Sequence, residues 1–317
     1  MIVAPRFWYQ SPGPVLRLLG PLAPGRGPRS PLPTQVPVPV VAVGSLSLGG
    51  TGKTPTVIAL AQRLAMRGRA VHVVTAGSGA PLRVEERRHR VADVGDEPLL
   101  IAAFAPTWVA RDPVAGVQAA AADGAEIVVL DGGVPEGPVA ADLRIMVEDA
   151  ARGFGNGFAW PLGPLKRRLA AGLAGADLVL TIGPEAAQAR FREVWAGALP
   201  CPHLAARLEP LPTGMEWQGL DVVAFAGIAA PERFFATLRG LGANLLRAQA
   251  LTDHQELTPA LMARLDAEAR QRGAQLVTTE KDAVRLPRAF RRKVVSLPVR
   301  LELDDWAALE ARLPGAY

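Results

Sequence analysis

Cysteine is almost absent from this chain, which has Cys201 alone among its 317 residues. A lone thiol excludes an internal disulfide framework and suits a reducing compartment. Long apolar runs are missing too, since none approaches the roughly 18–20 residues that a membrane-spanning helix requires. The first ten residues also lack the basic segment and apolar core of a secretory signal. The composition therefore predicts a protein that does not cross a membrane.

Acidic residues are missing from the first 84 positions, and the first acidic residue of the chain is Glu85. The same stretch carries nine basic residues, which are Arg6, Arg17, Arg26, Arg29, Lys53, Arg63, Arg67, Arg69 and Arg83. The formal net charge is +5, so the remainder of the chain is slightly acidic. This asymmetry indicates an anionic partner such as a nucleotide, a nucleic acid or a membrane surface, or else a chance clustering of arginines.

The first 36 residues form a proline-rich basic arm. Ten prolines fall within the first 39 residues and exclude a long regular helix. Phe7, Trp8 and the leucines of residues 15–19 stand beside arginines. Such a segment can lie on an anionic membrane surface, or it can pack against its own domain.

From residue 37 onward, short apolar strands alternate with amphipathic helices. Strands are predicted at 40–43, 70–75, 107–110, 127–130, 143–147, 178–182, 222–225, 244–250, 275–278 and 294–297. Helices are predicted at 53–67, 97–104, 113–122, 169–175, 231–240 and 259–270. The alternation predicts an α/β fold whose parallel sheet is covered by helices on both faces. A region rich in Pro, Gly and Trp at 200–217 predicts a linker, which separates a domain at 37–204 from a smaller α/β domain at 205–317.

A glycine-rich loop follows the first predicted strand and opens the first long helix. This context is typical of a phosphate-binding P-loop, in which backbone N–H groups and a helix N-terminus hold phosphates. Lys53 is expected to reach the β- and γ-phosphates of a nucleotide, and the hydroxyl of Thr54 to bind Mg²⁺. Nucleotide contacts are predicted for Ser47, Leu48, Gly49, Gly50, Thr51, Gly52, Lys53 and Thr54. Ser47 stands where the general pattern has its first glycine.

Asp131 directly follows the buried strand at 127–130. A carboxylate at this place in a P-loop protein is expected to bind Mg²⁺ directly or through water. The alternative is a strand-end aspartate that caps the next turn. The larger domain is therefore predicted to have a P-loop NTPase-type fold with ATP and Mg²⁺ as ligands.

Several motifs in order resemble the tetraacyldisaccharide 4′-kinase (lipid A 4′-kinase) family. The similarity covers nearly the whole chain from about residue 38. The motifs are VPVVAVGSLSLGGTGKTP at 38–55, GDEP at 95–98, RGFGNG at 152–157, PLGPL at 161–165, AFAGI at 224–228, PERF at 231–234, DH at 253–254 and TTEKDAVRL at 278–286. The family's own loop usually has Ser or Thr at position 47.

The resemblance implies transfer of the ATP γ-phosphate to the 4′-hydroxyl of a tetraacylated glucosamine disaccharide 1-phosphate. It places this step of lipid A biosynthesis at the cytoplasmic face of the bacterial inner membrane, with peripheral attachment. It also implies that Asp96 and His254 form the catalytic base, since a carboxylate orients an imidazole and raises its proton affinity. With Asp96 in the first unit and His254 in the second, the active site is expected between the domains. Their alternative roles are a helix N-cap and a surface histidine.

The chain departs from the family pattern around the phosphates and the metal. The family's Asp-Asp-Gly-x-Gln-His reads DGGVPE at 131–136, and its Pro-x-Gly-Pro-Leu-Arg-Glu ends in Lys166 and Arg167. An arginine and a tyrosine of a further motif are also lost at 75–80. Two missing carboxylates near Mg²⁺ could cost on the order of 10²–10⁴ in rate. The alternative function is therefore a catalytically weak or inactive nucleotide-binding paralogue.

Two other classes of protein fit the residues less well. A GTPase would show an Asn-Lys-x-Asp guanine-recognition sequence, which this chain lacks. Nucleic-acid binding is not expected, because aromatic and basic residues are not interleaved as on a stacking platform. No protein partner is evident from the sequence.

Overall fold

The computed structural model describes residues 5–23 and 32–315. Arg26 and Arg29 of the predicted arm lie outside these ranges. The described residues divide into two compact units, the first within Met1–Val84, Phe104–Leu208 and Leu301–Tyr317, and the second within Glu85–Ala103 and Glu209–Arg300. Three segments thus fall on the other side of the division expected at residue 204, and one of them is the short stretch 205–208, which belongs to the first unit. Residues 85–103 join the second unit, and residues from 301 onward join the first.

The elements follow one another as an α/β chain. The strands are β1 (Val40–Gly44), β2 (Val71–Ala76), β3 (Leu82–Arg83), β4 (Thr107–Ala110), β5 (Ile127–Asp131), β6 (Leu143–Asp149), β7 (Leu178–Ile182), β8 (His203–Pro210), β9 (Asp221–Ala226), β10 (Asn244–Ala250), β11 (Gln275–Thr279), β12 (Val294–Leu297) and β13 (Val299–Leu303). The helices are α1 (Pro14–Leu19), α2 (Lys53–Met66), α3 (Val91–Val94), α4 (Asp96–Ala102), α5 (Pro113–Ala122), α6 (Leu169–Leu173), α7 (Glu185–Trp195), α8 (Pro231–Gly240), α9 (Pro259–Gln271), α10 (Glu280–Ala283) and α11 (Trp306–Glu310). Short 3₁₀ turns lie at Arg6–Tyr9, Gly20–Leu22 and Ala196–Ala198.

A nine-stranded sheet forms the first unit, in the order β13-β8-β7-β6-β1-β5-β2-β4-β3. The pairs from β8 through β4 are parallel, and β3 pairs with β4 antiparallel. Strand β1 lies between β5 and β6, and all five of its residues are buried. The carboxyl ends of these three strands therefore meet around the loop that follows β1. This sheet with its flanking helices confirms the predicted α/β P-loop fold.

The linker predicted at 200–217 is wrong over its first half. His203–Pro210 forms strand β8, in which His203, Leu204, Ala205 and Ala206 pair with successive residues of β7. Pro202 precedes the strand and Pro210 ends it, which is compatible with pairing because proline is tolerated at strand ends. The composition of this segment indicated a linker, but its backbone pairs with the edge of β7 and is therefore a strand.

A four-stranded parallel sheet in the order β10-β9-β11-β12 forms the second unit. Its two faces are covered by apolar clusters, one around Phe225 and Met262 and the other around Phe235 and Leu238. Strands β9 and β11 are central, so the loops that follow Ala226 and Thr279 leave the same edge of the sheet.

The described part of the arm packs against the first unit through Trp8. Trp8 is 2% exposed, and its indole N–H donates to the Pro161 carbonyl at 3.1 Å. The Asn156 N–H donates to the Trp8 carbonyl at 2.7 Å. Among the described residues, no helix has both the length and the apolar character to cross a membrane.

Candidate functional site

The glycine-rich loop joins β1 to α2 in the first unit. Gly49 and Gly52 have φ values of 106° and 96°, which favour glycine. A Cβ on Gly52 would lie 2.4 Å from Cδ1 of Ile182, so the loop has no room for a side chain there. Helix α2 begins at Lys53, and its first N–H groups have no partners within the helix. The loop and helix together have the backbone geometry that an anion-binding helix terminus requires, and anion binding there stays a prediction.

Hydrogen bonds narrow the set of backbone groups that can face a phosphate. The Ser47 N–H donates to the Glu148 carboxylate at 3.0 Å, and the Leu48 N–H donates to the Pro164 carbonyl at 2.8 Å. The N–H groups of Ser47 and Leu48 are therefore already satisfied within the protein, and phosphate binding stays a prediction for those from Gly49 onward. Thr51 is buried, and its hydroxyl has no hydrogen-bond partner in the described part of the chain. An orphaned hydroxyl inside this loop fits a nucleotide phosphate as its partner.

Glu148 lies beside the loop at the carboxyl end of β6 and is fully buried. Its Oε1 accepts the N–H groups of Leu46 at 2.6 Å and Ser47 at 3.0 Å. Burial raises the pKa of Glu148 to about 7, against the opposing effects of these hydrogen bonds and of Lys166. Sequence reasoning missed this residue, although an acid at the end of an apolar strand is the signal that identified Asp131.

Lys166 is a second charged residue that contacts the start of this loop, and its charge is opposite to that of Glu148. Its ammonium donates to the Ser45 carbonyl at 2.8 Å and to the Ser45 hydroxyl at 3.1 Å. Burial and then the nearby charge of Lys53 lower the pKa of Lys166 to about 8, while Glu148 and Asp131 oppose that change. The departure from the family's arginine thus leaves a half-buried cation, and its hydrogen bonds to Ser45 hold the residue at the start of the loop.

Two other charged residues that differ from the family pattern contact each other. Arg167, which replaces the family's glutamate, lies with Nη2 2.9 Å from Oε2 of Glu136. Glu136 stands where the family has its histidine. A cation and an anion have therefore replaced the family residues together, and they form an ion pair within the first unit.

Asp131 ends β5, where it is level with Val43 of β1 and Thr75 of β2. The Thr75 hydroxyl donates to its Oδ2 at 3.4 Å. No group of three or more His, Cys, Asp or Glu side chains suited to a metal occurs among the described residues. Mg²⁺ commonly takes only one or two protein carboxylates together with phosphates and water. The donor set of Thr54 and Asp131 fits that chemistry, and their metal role stays a prediction.

Asp96 and His254 form a hydrogen-bonded pair in the second unit. The Nδ1–H of His254 donates to Oδ2 of Asp96 at 2.8 Å, which leaves Nε2 as the acceptor. Asp96 begins α4, and its Oδ1 accepts the N–H of Glu97 at 3.0 Å. Gly95 is the N-cap residue of α4, and no side chain caps this helix, so the alternative N-cap role of Asp96 is not observed. The other oxygen, Oδ2, holds the imidazole. The sequence placed these two residues in different units, which is wrong because residues 85–103 pack with the second unit.

The His254 loop is held in a strained backbone conformation. Its φ of 59° is positive, and among the described residues no other non-glycine residue has a positive φ. Such strain persists only where neighbouring groups fix it. The His254 N–H donates to the Gly227 carbonyl at 3.2 Å, while the Gly227 N–H donates to both Asp282 oxygens at 3.1 Å. Arg285 contacts Asp282 and donates to the Gly227 carbonyl at 3.0 Å.

Lys281 is a further charged group at this pair that sequence reasoning did not single out. Its ammonium lies 3.5 Å from Nε2 of His254 and is held by Glu97 at 2.7 Å. The motifs at 95–98, 224–228, 253–254 and 278–286 thus build one site in the second unit. The arrangement can accept a proton at Nε2 and place a cation beside the atom that loses it.

The first unit is that of a P-loop nucleotide-binding protein, because a buried parallel strand leads through a glycine-rich loop to a helix that begins with Lys and Thr. The sequence model described as tetraacyldisaccharide-1-P 4′-kinase matches residues 30–316. The chain therefore belongs to this kinase family.

Relatives that match nearly the whole chain belong to the same kinase family. A tetraacyldisaccharide 4′-kinase of Jannaschia sp. (strain CCS1) is 53% identical over 97% of this chain and 97% of its own. One of Dinoroseobacter shibae is 52% identical over 99% of this chain and 97% of its own.

A solved structure shares the fold. LpxK from Aquifex aeolicus, crystallised in complex with ATP, matches with a TM-score of 0.67 and 23% identity, over 88% of this chain and 89% of its own.

Proposed function

We propose that this chain transfers the γ-phosphate of ATP to the 4′-hydroxyl of a tetraacylated glucosamine disaccharide 1-phosphate in lipid A biosynthesis. The observation that carries the proposal is the strained, hydrogen-bonded Asp96–His254 pair in a chain of this kinase family. The phosphate loop of the first unit supplies the nucleotide half of the reaction.

In this reaction His254 accepts the proton of the acceptor hydroxyl at Nε2. Asp96 keeps the other ring nitrogen protonated, which fixes the tautomer and favours the imidazolium that forms. Lys281 lies next to Nε2 and is placed to contact the hydroxyl oxygen as its proton leaves. A positive charge at that atom stabilises the developing negative charge.

ATP is held by the N–H groups from Gly49 onward and by Lys53. Thr54 and Asp131 are the residues that would hold Mg²⁺, which neutralises phosphate charge when it is bound. Lys166 and Arg152 add positive charge at the loop, since a Cβ on Gly49 would lie 3.8 Å from Nη1 of Arg152.

The direct test is incubation of the purified protein with Mg-ATP and the tetraacyldisaccharide 1-phosphate, with the bisphosphorylated product measured by mass spectrometry. We expect product from the wild type and from Lys293→Ala, an exposed control. Lys53→Ala should lose ATP affinity, whereas Asp96→Ala should bind ATP and turn over roughly 10²–10⁴ times more slowly. A wild type that binds ATP without forming product would establish the inactive paralogue instead.

We also propose peripheral attachment to the cytoplasmic face of the inner membrane through the arm. Support comes from exposed leucines at the end of α1 and just beyond it, with Leu18 76% and Leu22 73% exposed. Arg17 lies among them, and Trp8 fixes the arm to the first unit. Exposed apolar groups beside a cation suit an anionic lipid surface.

A further inference from the structure

The second unit contains an open cavity of about 1200 Å³ that includes His254 in its lining. Ligand pockets commonly measure about 300–1,000 Å³, so this space can hold a large polar ligand. Its lining includes Leu99, Leu257 and Leu286, which are buried residues of the second unit. Buried apolar side chains of this unit therefore form part of the cavity lining.

Positive charge dominates the lining. Six arginines line the cavity with two glutamates: Arg87, Arg88, Arg90, Arg285, Arg288 and Arg291 with Glu86 and Glu256. Arg285 is committed to the His254 loop, and Nε of Arg291 donates to the Leu286 carbonyl at 3.3 Å. Within the described ranges, Arg87 and Arg288 have no hydrogen bond or ion pair. Both side chains are exposed and come from separate segments of this unit.

We propose that this cavity binds the phosphate monoester end of the acceptor, with Arg87 and Arg288 as its phosphate ligands. The inference rests on the proposed function, because it assigns the acceptor's hydroxyl end to His254. Guanidinium groups match phosphate oxygens in geometry and charge. The 1-phosphate and the 4′-hydroxyl lie on different sugars of the disaccharide. The cavity lining has His254 as a base and Arg87 and Arg288 as cations, which suits a ligand with a hydroxyl on one sugar and a phosphate on the other.

The arginines thus select an acceptor that carries a phosphate. An acceptor without the 1-phosphate would leave two guanidinium groups without their anion, while the contacts at His254 would be unchanged. The expected signature is a change in KM for the acceptor and little change in kcat, because a remote phosphate contributes equally to the bound substrate and the transition state.

The kinetic test compares Arg87→Ala/Arg288→Ala with the wild type on the tetraacyldisaccharide with and without its 1-phosphate. Arg292→Ala is the matched control, because this exposed arginine adjoins Arg291 without lining the cavity. We expect KM for the phosphorylated acceptor to rise roughly 10- to 100-fold in the double variant, with KM for ATP unchanged. Arg87→Lys/Arg288→Lys should recover part of the loss.

Equal loss on both acceptors, or an unchanged KM, would overturn the inference. A rise in KM for ATP alone would assign these arginines to the nucleotide instead. These outcomes differ from failure of the proposed function, in which the wild type forms no product from either acceptor.

A binding test needs no turnover. Calorimetric titration with glucosamine 1-phosphate should give saturable binding to the wild type and to Arg292→Ala, and roughly tenfold weaker binding to the double variant. Inorganic phosphate should compete, because it presents the same oxygens, and glucosamine should not. Absence of binding, or competition only by ATP or by phosphatidylglycerol vesicles, would contradict the proposed ligand.

Discussion

A single buried carboxylate stabilises the start of the phosphate loop. Glu148 accepts two consecutive backbone N–H groups, those of Leu46 and Ser47, so these donors point away from the nucleotide. Its Oε2 has no hydrogen-bond partner within the described residues. Removing a charge from such a place changes both stability and its dependence on pH.

We predict that Glu148→Gln alters how the free energy of unfolding depends on pH. Burial raises the pKa of Glu148 from 4.5 to about 7, so the folded state holds this proton more tightly than the unfolded chain. Between those two values a rise in pH ionises the unfolded chain first. The wild type should therefore lose up to about 3 kcal/mol of stability that the variant does not lose.

Urea unfolding at pH 5 and pH 7.5 measures this difference. Glu193→Gln, on the exposed surface of α7, is the control and should follow the wild type at both values. The same change with pH in the wild type and in Glu148→Gln would contradict the prediction.

At the scale of elements, two glycines lie at opposite ends of helix α2 and differ in their surroundings. Gly52 precedes the helix with a φ of 96°, and Gly68 follows it with a φ of 76°. A Cβ on Gly52 would meet Ile182, whereas a Cβ on Gly68 would meet nothing within 4 Å. Both positions favour glycine, but only the first lies in the phosphate loop.

Gly52→Ala should weaken ATP binding at least tenfold, because it strains and displaces N–H groups that face the phosphates. Gly68→Ala imposes a similar backbone strain of about 1–2 kcal/mol far from the loop and should leave the Kd for ATP unchanged. Calorimetric titration of both variants with ATP checks this, and thermal unfolding compares their stabilities. Equal ATP affinities in the two variants would show that the loop tolerates a side chain.

At the scale of the whole molecule, the arm brings exposed apolar surface to a basic end of the chain. Leu18→Asp/Leu22→Asp should reduce binding to phosphatidylglycerol vesicles at least tenfold, because burying one leucine contributes about 1.5–3 kcal/mol. Trp8 is retained in this variant, so the arm stays attached to the first unit. Met66→Asp/Val194→Asp makes the same charge change at exposed positions elsewhere and is the control. Vesicle sedimentation at two salt concentrations gives the affinities; unchanged, salt-insensitive binding would count against the arm.

Local sequence patterns predicted several elements to the residue. Strands β4 and β7 and helices α5 and α8 have the predicted bounds, since their apolar periodicity and their Pro or Gly boundaries are local signals. Helix α7 was not predicted, and β8 was predicted as a linker. The strand status of β8 depends on pairing with β7, which no local pattern contains.

The order of residues along the chain was enough to predict the α/β alternation and the phosphate loop, because glycine conformations and a Lys-Thr helix start are properties of a few adjacent residues. The side-chain contacts at the phosphate loop and at the Asp96–His254 pair could be identified only in the folded chain. Glu148 lies 102 positions from Leu46, and His254 lies 158 positions from Asp96. Sheet order brings β6 beside β1, and the grouping of residues 85–103 with the second unit brings Asp96 to His254. Burial then sets the pKa values of Glu148 and Lys166, because desolvation depends on packing from all sides.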